Sequence, residues 1–179
     1  MINKGFTLQL QRWLDVFTRD VYGDILLDSI RFCQKNQGLS VHAWVLMTNH
    51  LHMICYFHAK QEPGLVLKNM KSFTAIKLID AIINNPKESR KEYMLNLFEA
   101  EGKKSSSNQR FKFWSRKQSD WKNHPVLLDS DLLFNQKLKH LHWNPVTTGF
   151  LNELWHWKYS SAIDYMTKDK GLLNLVFLE

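Results

Sequence analysis

Two histidines, His50 and His52, stand two residues apart in an apolar stretch of the chain. If this stretch is a β-strand, side chains alternate between its two faces, so both histidines point the same way about 7 Å apart. Two imidazole rings on one face can bind a metal ion together. Two strand histidines that each make an ordinary hydrogen bond are the simpler explanation of so short a pattern. The flanking residues, and the elements that position them, decide between the two explanations.

The composition limits the class of protein. The chain has 179 residues, a length typical of one domain with a sizeable core. Its formal net charge of +7 favours a polyanionic partner, first of all nucleic acid, although a basic surface without a partner accounts for the charge equally well. Cys33 and Cys55 lie in apolar runs, which indicates buried free thiols and a reducing compartment. Since no signal-peptide core or membrane span is evident, we expect a cytoplasmic protein that does not bind membranes.

The hydrophobic pattern predicts three strands around the two histidines. Apolar and polar residues alternate over residues 6–10, which favours a first strand. Residues 39–47 and 50–57 are rich in strand-forming side chains and read as a hairpin, with its turn at Thr48 and Asn49. The two histidines would then open the third strand, directly beside that turn.

Two helices are predicted on either side of the hairpin. The first is capped by Thr18 and runs to about residue 36, where Gly38 suits its C-terminal end. The second covers residues 65–84 and has Phe73 among its apolar positions. Either of two sets of residues would form the inner face of the first helix: Ile25, Ser29 and Phe32, or Leu26, Ile30 and Cys33.

A third main helix carries a polar stripe. It is predicted to begin at Ser130, capped by the Ser130 side chain or by Asp129, and to end at Asn144, because Pro145 disfavours helical geometry in the residue before it. Gln136, His140 and Asn144 are spaced four residues apart, so they share one face of the helix. Such a stripe usually faces solvent, and it becomes interesting only if it meets the two strand histidines.

Basic and aromatic side chains alternate around residues 111–114, which predicts a short fourth strand. Cations that contact phosphates beside aromatics that stack on bases are typical of single-strand nucleic-acid binding. Solvated lysines on an amphipathic strand explain the same composition equally well. The candidate DNA-binding residues are Arg110, Lys112, Trp114, Arg116 and Lys117.

The order of these elements predicts a ferredoxin-like α+β sandwich, an antiparallel β-sheet backed by helices. We expect a single domain over residues 1–179, with a helical and loop insertion at about residues 86–109. The aromatic segment at residues 155–162 is expected to wrap the sheet, and residues 172–178 to add an edge strand.

Four segments, taken in order, resemble a known family, the single-tyrosine HUH transposases and in particular the REP-associated tyrosine transposases. HUH stands for histidine, hydrophobic residue, histidine. The matching segments are residues 45–54, Phe113 with Trp114, residues 142–150, and residues 157–162. The resemblance extends over about residues 6–165.

The resemblance implies a chemistry as well as the fold predicted above. Members of the family cut single-stranded DNA near a hairpin: a helix tyrosine attacks the phosphodiester, forms a 5′-phosphotyrosine and leaves a free 3′-OH. The implied site here is Mg²⁺ or Mn²⁺ bound by His50, His52 and Asn144, where the ion would stabilise charge on the phosphate oxygens. The implied partner is single-stranded or hairpin DNA, and the resemblance leaves a homodimer and a monomer both open.

The sequence departs from the family at the nucleophile. The family segment has the form Tyr-Ile-His-x-Asn-Pro, whereas residues 140–145 read His-Leu-His-Trp-Asn-Pro, so His140 stands at the catalytic tyrosine position. One interpretation is a degenerate or domesticated copy that binds hairpin DNA without cutting it. Another is an active enzyme with a substitute nucleophile, for which His140, a metal-bound water, Tyr159 and Tyr165 are candidates, although both tyrosines lie in a segment that looks structural.

Two further interpretations stay open. The alignment could be displaced by a helical turn, or His140 could join His50 and His52 as a metal ligand, and three histidines would favour Zn²⁺ or Mn²⁺ over Mg²⁺. A metal-binding sandwich protein with an incidental basic surface, unrelated to DNA, is the remaining alternative.

Overall fold

The computed structural model describes residues 3–9, 14–58, 62–104, 110–115 and 126–177. Its helices and strands are β1 (Asn3–Gln9), α1 (Asp20–Asn36), β2 (Leu39–Leu46), β3 (His50–Phe57), α2 (Pro63–Asn84), α3 (Lys91–Lys103), β4 (Val126–Leu128), α4 (Asp131–Thr147) and α5 (Ala162–Met166), with a 3-10 turn at Leu154–His156. The four strands form one antiparallel sheet in the order β2-β3-β1-β4. This confirms the predicted ferredoxin-like α+β fold.

Helices cover both faces of the sheet. On one face, Leu51 and Met53 of β3 lie in the main core together with residues of α1 and α2. On the other face, α4 packs against the sheet through Leu141, which lies in a second, smaller core. The predicted sandwich therefore gains a third layer. Because His50 and His52 alternate with Leu51 and Met53 along β3, they lie on the face that α4 covers.

The first helix lies where it was predicted, with a different start and one defined inner face. Thr18 does not cap α1, because its hydroxyl donates to the carbonyl oxygen of Asp15 and the helix begins only at Asp20. Gly38, directly after the helix, has a φ of 62° and so provides the predicted left-handed end. Phe32 is 56% exposed, whereas the buried set is Leu26, Ile30 and Cys33, with Ser29 beside it.

The second helix, α2, begins at Pro63, slightly earlier than predicted. Phe73, one of the apolar positions of the predicted helix, is 52% exposed. The core side of α2 is formed by Val66, Met70, Thr74, Leu78, Ile79 and Ile82.

The fourth strand is not where the sequence predicted it. β4 pairs with β1, whereas residues 110–115 form no strand. Phe113 and Trp114 are 2% and 6% exposed, and the indole N–H of Trp114 donates to the hydroxyl of Thr74 at 3.0 Å. Both aromatic rings lie inward, because burial of large apolar surface outweighs the alternation that predicted a half-exposed strand.

The helix α4 begins as predicted and ends later. The Ser130 hydroxyl caps it by accepting from the backbone N–H of Leu133. The helix continues through Pro145 to Thr147, so the predicted end at Asn144 is wrong. Proline removes one backbone donor, and the helix resumes when Thr148 N donates to Asn144 O at 3.1 Å.

The C-terminal part of the chain covers the outer edge of β2. Leu46 N donates to Tyr159 O, and Ser161 N donates to Trp44 O, which confirms that the aromatic segment wraps the sheet. The edge strand predicted at 172–178 is, within the described residues up to 177, a single bridge between Leu175 and Val41. An edge covered in this way cannot pair with another chain.

The two cysteines agree with their prediction. Cys33 and Cys55 are buried thiols that form no disulfide, and burial raises the pKa of Cys33 to about 11. Among the described helices, none combines the length and the apolar character that crossing a bilayer requires.

A buried carboxylate, Glu88, ties the segment before α3 to α1. Glu88 accepts hydrogen bonds from Arg19 Nε at 2.8 Å, Arg90 Nε at 3.0 Å and the Tyr22 hydroxyl at 3.2 Å. Burial alone would raise the pKa of Glu88, but the bonds from Arg90 and Arg19 lower it to about 2. The described part of the predicted insertion is thereby fixed to the main core, in which Phe98 of α3 is fully buried.

One histidine of α4 is part of the core. His142 is 2% exposed, and its Nε2 lies 2.8 Å from the hydroxyl oxygen of Ser161. That hydroxyl also accepts from Trp44 N and donates to Trp44 O, so the bond joins α4 to the edge of β2. Burial lowers the pKa of His142 to about 4.

We therefore expect the free energy of unfolding to fall as the pH drops below about 6.5, and to keep falling down to about 4. Over this range the unfolded chain binds a proton at His142 that the folded protein excludes. At pH 5 this loss amounts to roughly 2 kcal/mol. Urea unfolding at pH 7 and at pH 5, for the wild type and His142→Gln, measures it, and the variant should lose less stability between the two pH values.

The control is His156→Gln, because His156 is exposed and should leave the pH dependence unchanged. Other buried histidines add to the total, so the test is the difference between the variants. Equal pH dependence in the wild type and His142→Gln would contradict the expected role of His142.

Candidate functional site

Three histidines from two elements meet over one end of the sheet. The rings of His50 and His52 lie with their centroids 4.7 Å apart, nearly perpendicular to each other. The ring of His140, from α4, lies 5.8 Å from that of His52. The structure thus brings the polar stripe of α4 to the strand histidines, which was the condition for giving that stripe a functional interpretation.

Asn144 lies one helical turn after His140 on α4 and is half-buried. Because the helix continues through this position, Asn144 stays on the same face as His140. Its backbone carbonyl oxygen accepts hydrogen bonds from the hydroxyls of Thr147 and Thr148, which closes the end of the helix.

Burial keeps the two strand histidines neutral at physiological pH. It lowers the pKa of His50 to about 4, with a smaller contribution from the neighbouring His140. It lowers the pKa of His52 to about 3, with further contributions from His50 and His140. A neutral imidazole has a lone pair to offer to a cation, whereas a protonated one would pair directly with a phosphate. The site is therefore suited to a cation.

The donor atoms of His50, His52 and Asn144 suit some divalent ions better than others. Two neutral imidazoles with an amide oxygen suit Mn²⁺ better than Mg²⁺, which prefers oxygen ligands throughout. In the part of the chain that the structure describes, no three or more His, Cys, Asp or Glu side chains are grouped so as to hold a metal ion. A zinc-like site of His50, His52 and His140 therefore stays a prediction.

Both downstream tyrosines are structural. The Tyr159 hydroxyl donates to the Asp24 carboxylate at 3.1 Å, and the Tyr165 hydroxyl donates to the carbonyl oxygen of His42 at 2.9 Å. Burial raises the pKa of both, that of Tyr165 to about 12, which disfavours the phenolate that a nucleophile requires. The other tyrosines lie elsewhere: Tyr22 against Glu88, Tyr56 beside His58, and Tyr93 exposed on α3.

The predicted DNA-binding residues have different surroundings. Trp114 is buried, so its ring cannot stack on a base as predicted. Arg110 is exposed, with its guanidinium 4.8 Å from the ring of Phe111, and Lys112 is half-buried. Arg116 and Lys117 lie outside the described residues. For the cations, DNA contact stays a prediction.

Sequence reasoning missed a set of exposed aromatics near α4. Trp143, three residues after His140, is 42% exposed. Phe150 is exposed and stacks on Trp157 at 5.4 Å, and the indole N–H of Trp157 donates to Leu46 O at the end of β2 nearest the histidines. The spacing of Trp143 and His140 on one helix was the available signal. These rings offer the stacking surface that Trp114 does not.

Comparison with known proteins shows the fold. A search of solved structures matches a REP-associated tyrosine transposase bound to a REP hairpin, with a TM-score of 0.62 and 13% sequence identity. The match covers 89% of this chain and 76% of that one. Neither the family models nor the curated proteins gave a match. The chain thus shares the overall fold of a REP-associated tyrosine transposase.

Proposed function

We propose that this protein is a transposase-like protein that binds single-stranded or hairpin DNA. The observation that supports this most is the meeting of His50, His52 and His140 on the fold of a transposase that was solved with a hairpin. The net charge of +7 and the exposed aromatics beside α4 agree with a nucleic-acid partner.

In this proposal His50 and His52 hold a divalent ion, Mg²⁺ or Mn²⁺, with Asn144 as the third protein ligand. The bound ion would supply stabilisation of negative charge on the phosphate oxygens. The chain's own part is to offer neutral imidazoles at a partly buried position and to place His140 beside them. A partly buried position excludes some water, which strengthens the attraction between an ion and a phosphate.

The proposed activity is binding without cleavage by the family route. His140 takes the position of the tyrosine, and the two downstream tyrosines are held in structural bonds. A second candidate, a nickase that uses His140, is favoured by one observation: His140 is exposed and its ring lies next to that of His52. The two candidates differ in whether a nick or a covalent protein–DNA adduct forms.

The binding proposal predicts a salt-dependent complex with hairpin DNA. We expect the affinity to fall at least tenfold between about 50 mM and about 200 mM salt, since each neutralised phosphate releases counterions. Fluorescence anisotropy with a labelled hairpin that carries a single-stranded tail measures it. Arg110→Gln should weaken binding several-fold and lower the salt slope by about one.

The matched control is Arg31→Gln, because Arg31 is also exposed but lies on α1 and pairs with Asp28. It should bind the hairpin like the wild type. An affinity for the hairpin that does not change with salt, or no binding at all, would contradict the proposal.

The cleavage alternative is tested on the wild type, with His140→Tyr as the comparison. With Mn²⁺ and hairpin DNA we expect no adduct from the wild type. In His140→Tyr the new hydroxyl can attack the phosphodiester, form a 5′-phosphotyrosine and release a 3′-OH. Denaturing electrophoresis detects such an adduct as a shifted protein band.

His156→Tyr places a tyrosine at another exposed histidine and should give no adduct. An adduct or nick with the wild type would overturn binding without cleavage. If His140→Tyr binds the hairpin yet forms no adduct, the site lacks more than the tyrosine nucleophile.

A further inference from the structure

We infer that Asp15 is a positioning residue that fixes the ring of His50, through Asn49, in the tautomer that carries its hydrogen on Nδ1. Asp15 lies in the loop between β1 and α1, far in sequence from the histidine pair. The tautomer itself follows from contacts within the chain, and only its consequence for a bound cation rests on the proposed function.

The side chains of Asp15, Asn49 and His50 form the connection, and Thr48 supports it. One carboxylate oxygen of Asp15 accepts a hydrogen bond from the amide nitrogen of Asn49 at 2.9 Å and another from the hydroxyl of Thr48 at 2.5 Å. The amide oxygen of Asn49 lies 2.6 Å from Nδ1 of His50. Asn49 is thus held between a carboxylate on one side and an imidazole on the other.

The chemistry of these groups allows one assignment. An ionised carboxylate only accepts hydrogen bonds, so the amide of Asn49 must turn its nitrogen toward Asp15. Its oxygen then faces His50, and an amide oxygen also only accepts. Nδ1 of His50 must therefore donate, and in the neutral ring the lone pair is on Nε2. The reverse orientation of the Asn49 amide is excluded, because it would place the amide oxygen against the carboxylate oxygen of Asp15.

Asp15 is itself held in place from a third part of the chain. Its backbone carbonyl oxygen accepts from Arg90 Nη1 at 2.7 Å, and Arg90 is bound to the buried carboxylate of Glu88. The loop also contacts the turn through its backbone, because Phe17 N donates to Thr48 O at 2.8 Å. The segment before α3, which the sequence left without a role, therefore braces the loop that orients His50.

The ring of His50 is already oriented to bind a cation. Groups that bond the far nitrogen of a metal-binding histidine fix its tautomer and direction, and their loss typically lowers metal affinity about 10- to 100-fold. Here the orienting bonds exist within the folded chain, so binding of an ion would not require the ring to turn. This gives Asp15 and Asn49 a function besides closing the turn.

The direct test is nitrogen NMR of the histidine rings in the protein alone at pH 7.5. We expect His50 to show the Nδ1–H tautomer in the wild type. In Asp15→Asn the amide at position 15 can pair with Asn49 in either orientation, so His50 should become a mixture of tautomers. Asp28→Asn removes the same charge from an exposed residue of α1 and should leave the His50 signals unchanged.

Asn49→Ala is the second variant, in case Asp15→Asn does not fold, and it should shift His50 toward the Nε2–H form. A wild-type His50 with its hydrogen on Nε2 would overturn the inference. So would an unchanged Nδ1–H tautomer in a folded Asp15→Asn or Asn49→Ala. None of these NMR measurements uses DNA, so a failure of the proposed DNA binding would not affect the tautomer result.

Titration with Mn²⁺ followed by electron paramagnetic resonance tests the consequence. Asp15→Asn should bind Mn²⁺ at least tenfold more weakly than Asp28→Asn. Equal affinity of the two variants would contradict a positioning role toward the cation. Wild-type protein that keeps the Nδ1–H tautomer but binds no Mn²⁺ would overturn the metal part of the proposed function as well as this consequence.

Discussion

The packing of α4 on the sheet face opposite α1 and α2 is the contact on which the candidate site depends. Side chains alternate along β3, so Leu51 and Met53 enter the main core while His50 and His52 point to the second face, where Ile54 also packs. Without α4 that face would be solvent-exposed, and the two histidines would be ordinary surface residues. With α4 in place, they are partly buried and joined by His140.

Burial gives the site its chemical character. Removing imidazoles from water disfavours their protonated form, so the chain holds two neutral rings side by side in a protein of net charge +7. For the proposed contact with DNA, positive charge would then come from arginine and lysine or from a bound cation. Burial also acts on Tyr159 and Tyr165, where it raises the pKa of the hydroxyl and disfavours the phenolate.

The sequence was sufficient for features that depend on local pattern. The hairpin around Thr48 and Asn49 follows from two apolar runs separated by a turn. Ser130, which caps α4, was one of two candidates that the sequence offered, the other being Asp129. The fold class followed because these local elements occur in a chain order that few sheets satisfy. The polar stripe of α4 was expected to matter only if it met the strand histidines, and the packing of α4 brings His140 next to His52.

Other features could not be predicted, because they depend on partners distant in sequence. Trp114 is buried and bonds to Thr74, which lies 40 residues away in the sequence. The strand β4 has only three residues, too few to show the alternation of apolar and polar side chains that identifies a strand. Pro145 stays within a helix because the following turn closes around it. Asp15 meets Asn49 across 34 positions, which no local pattern reveals.

The central claim is that the histidine site holds a divalent ion against a DNA phosphate. The most direct measurement is phosphorus NMR of a hairpin bound to the protein, with small additions of Mn²⁺. The claim predicts selective broadening of one or two phosphate signals, and loss of that selectivity in a His50→Ala, His52→Ala double variant that still binds the hairpin. Broadening spread evenly over the DNA, or broadening that the double variant retains, would contradict it.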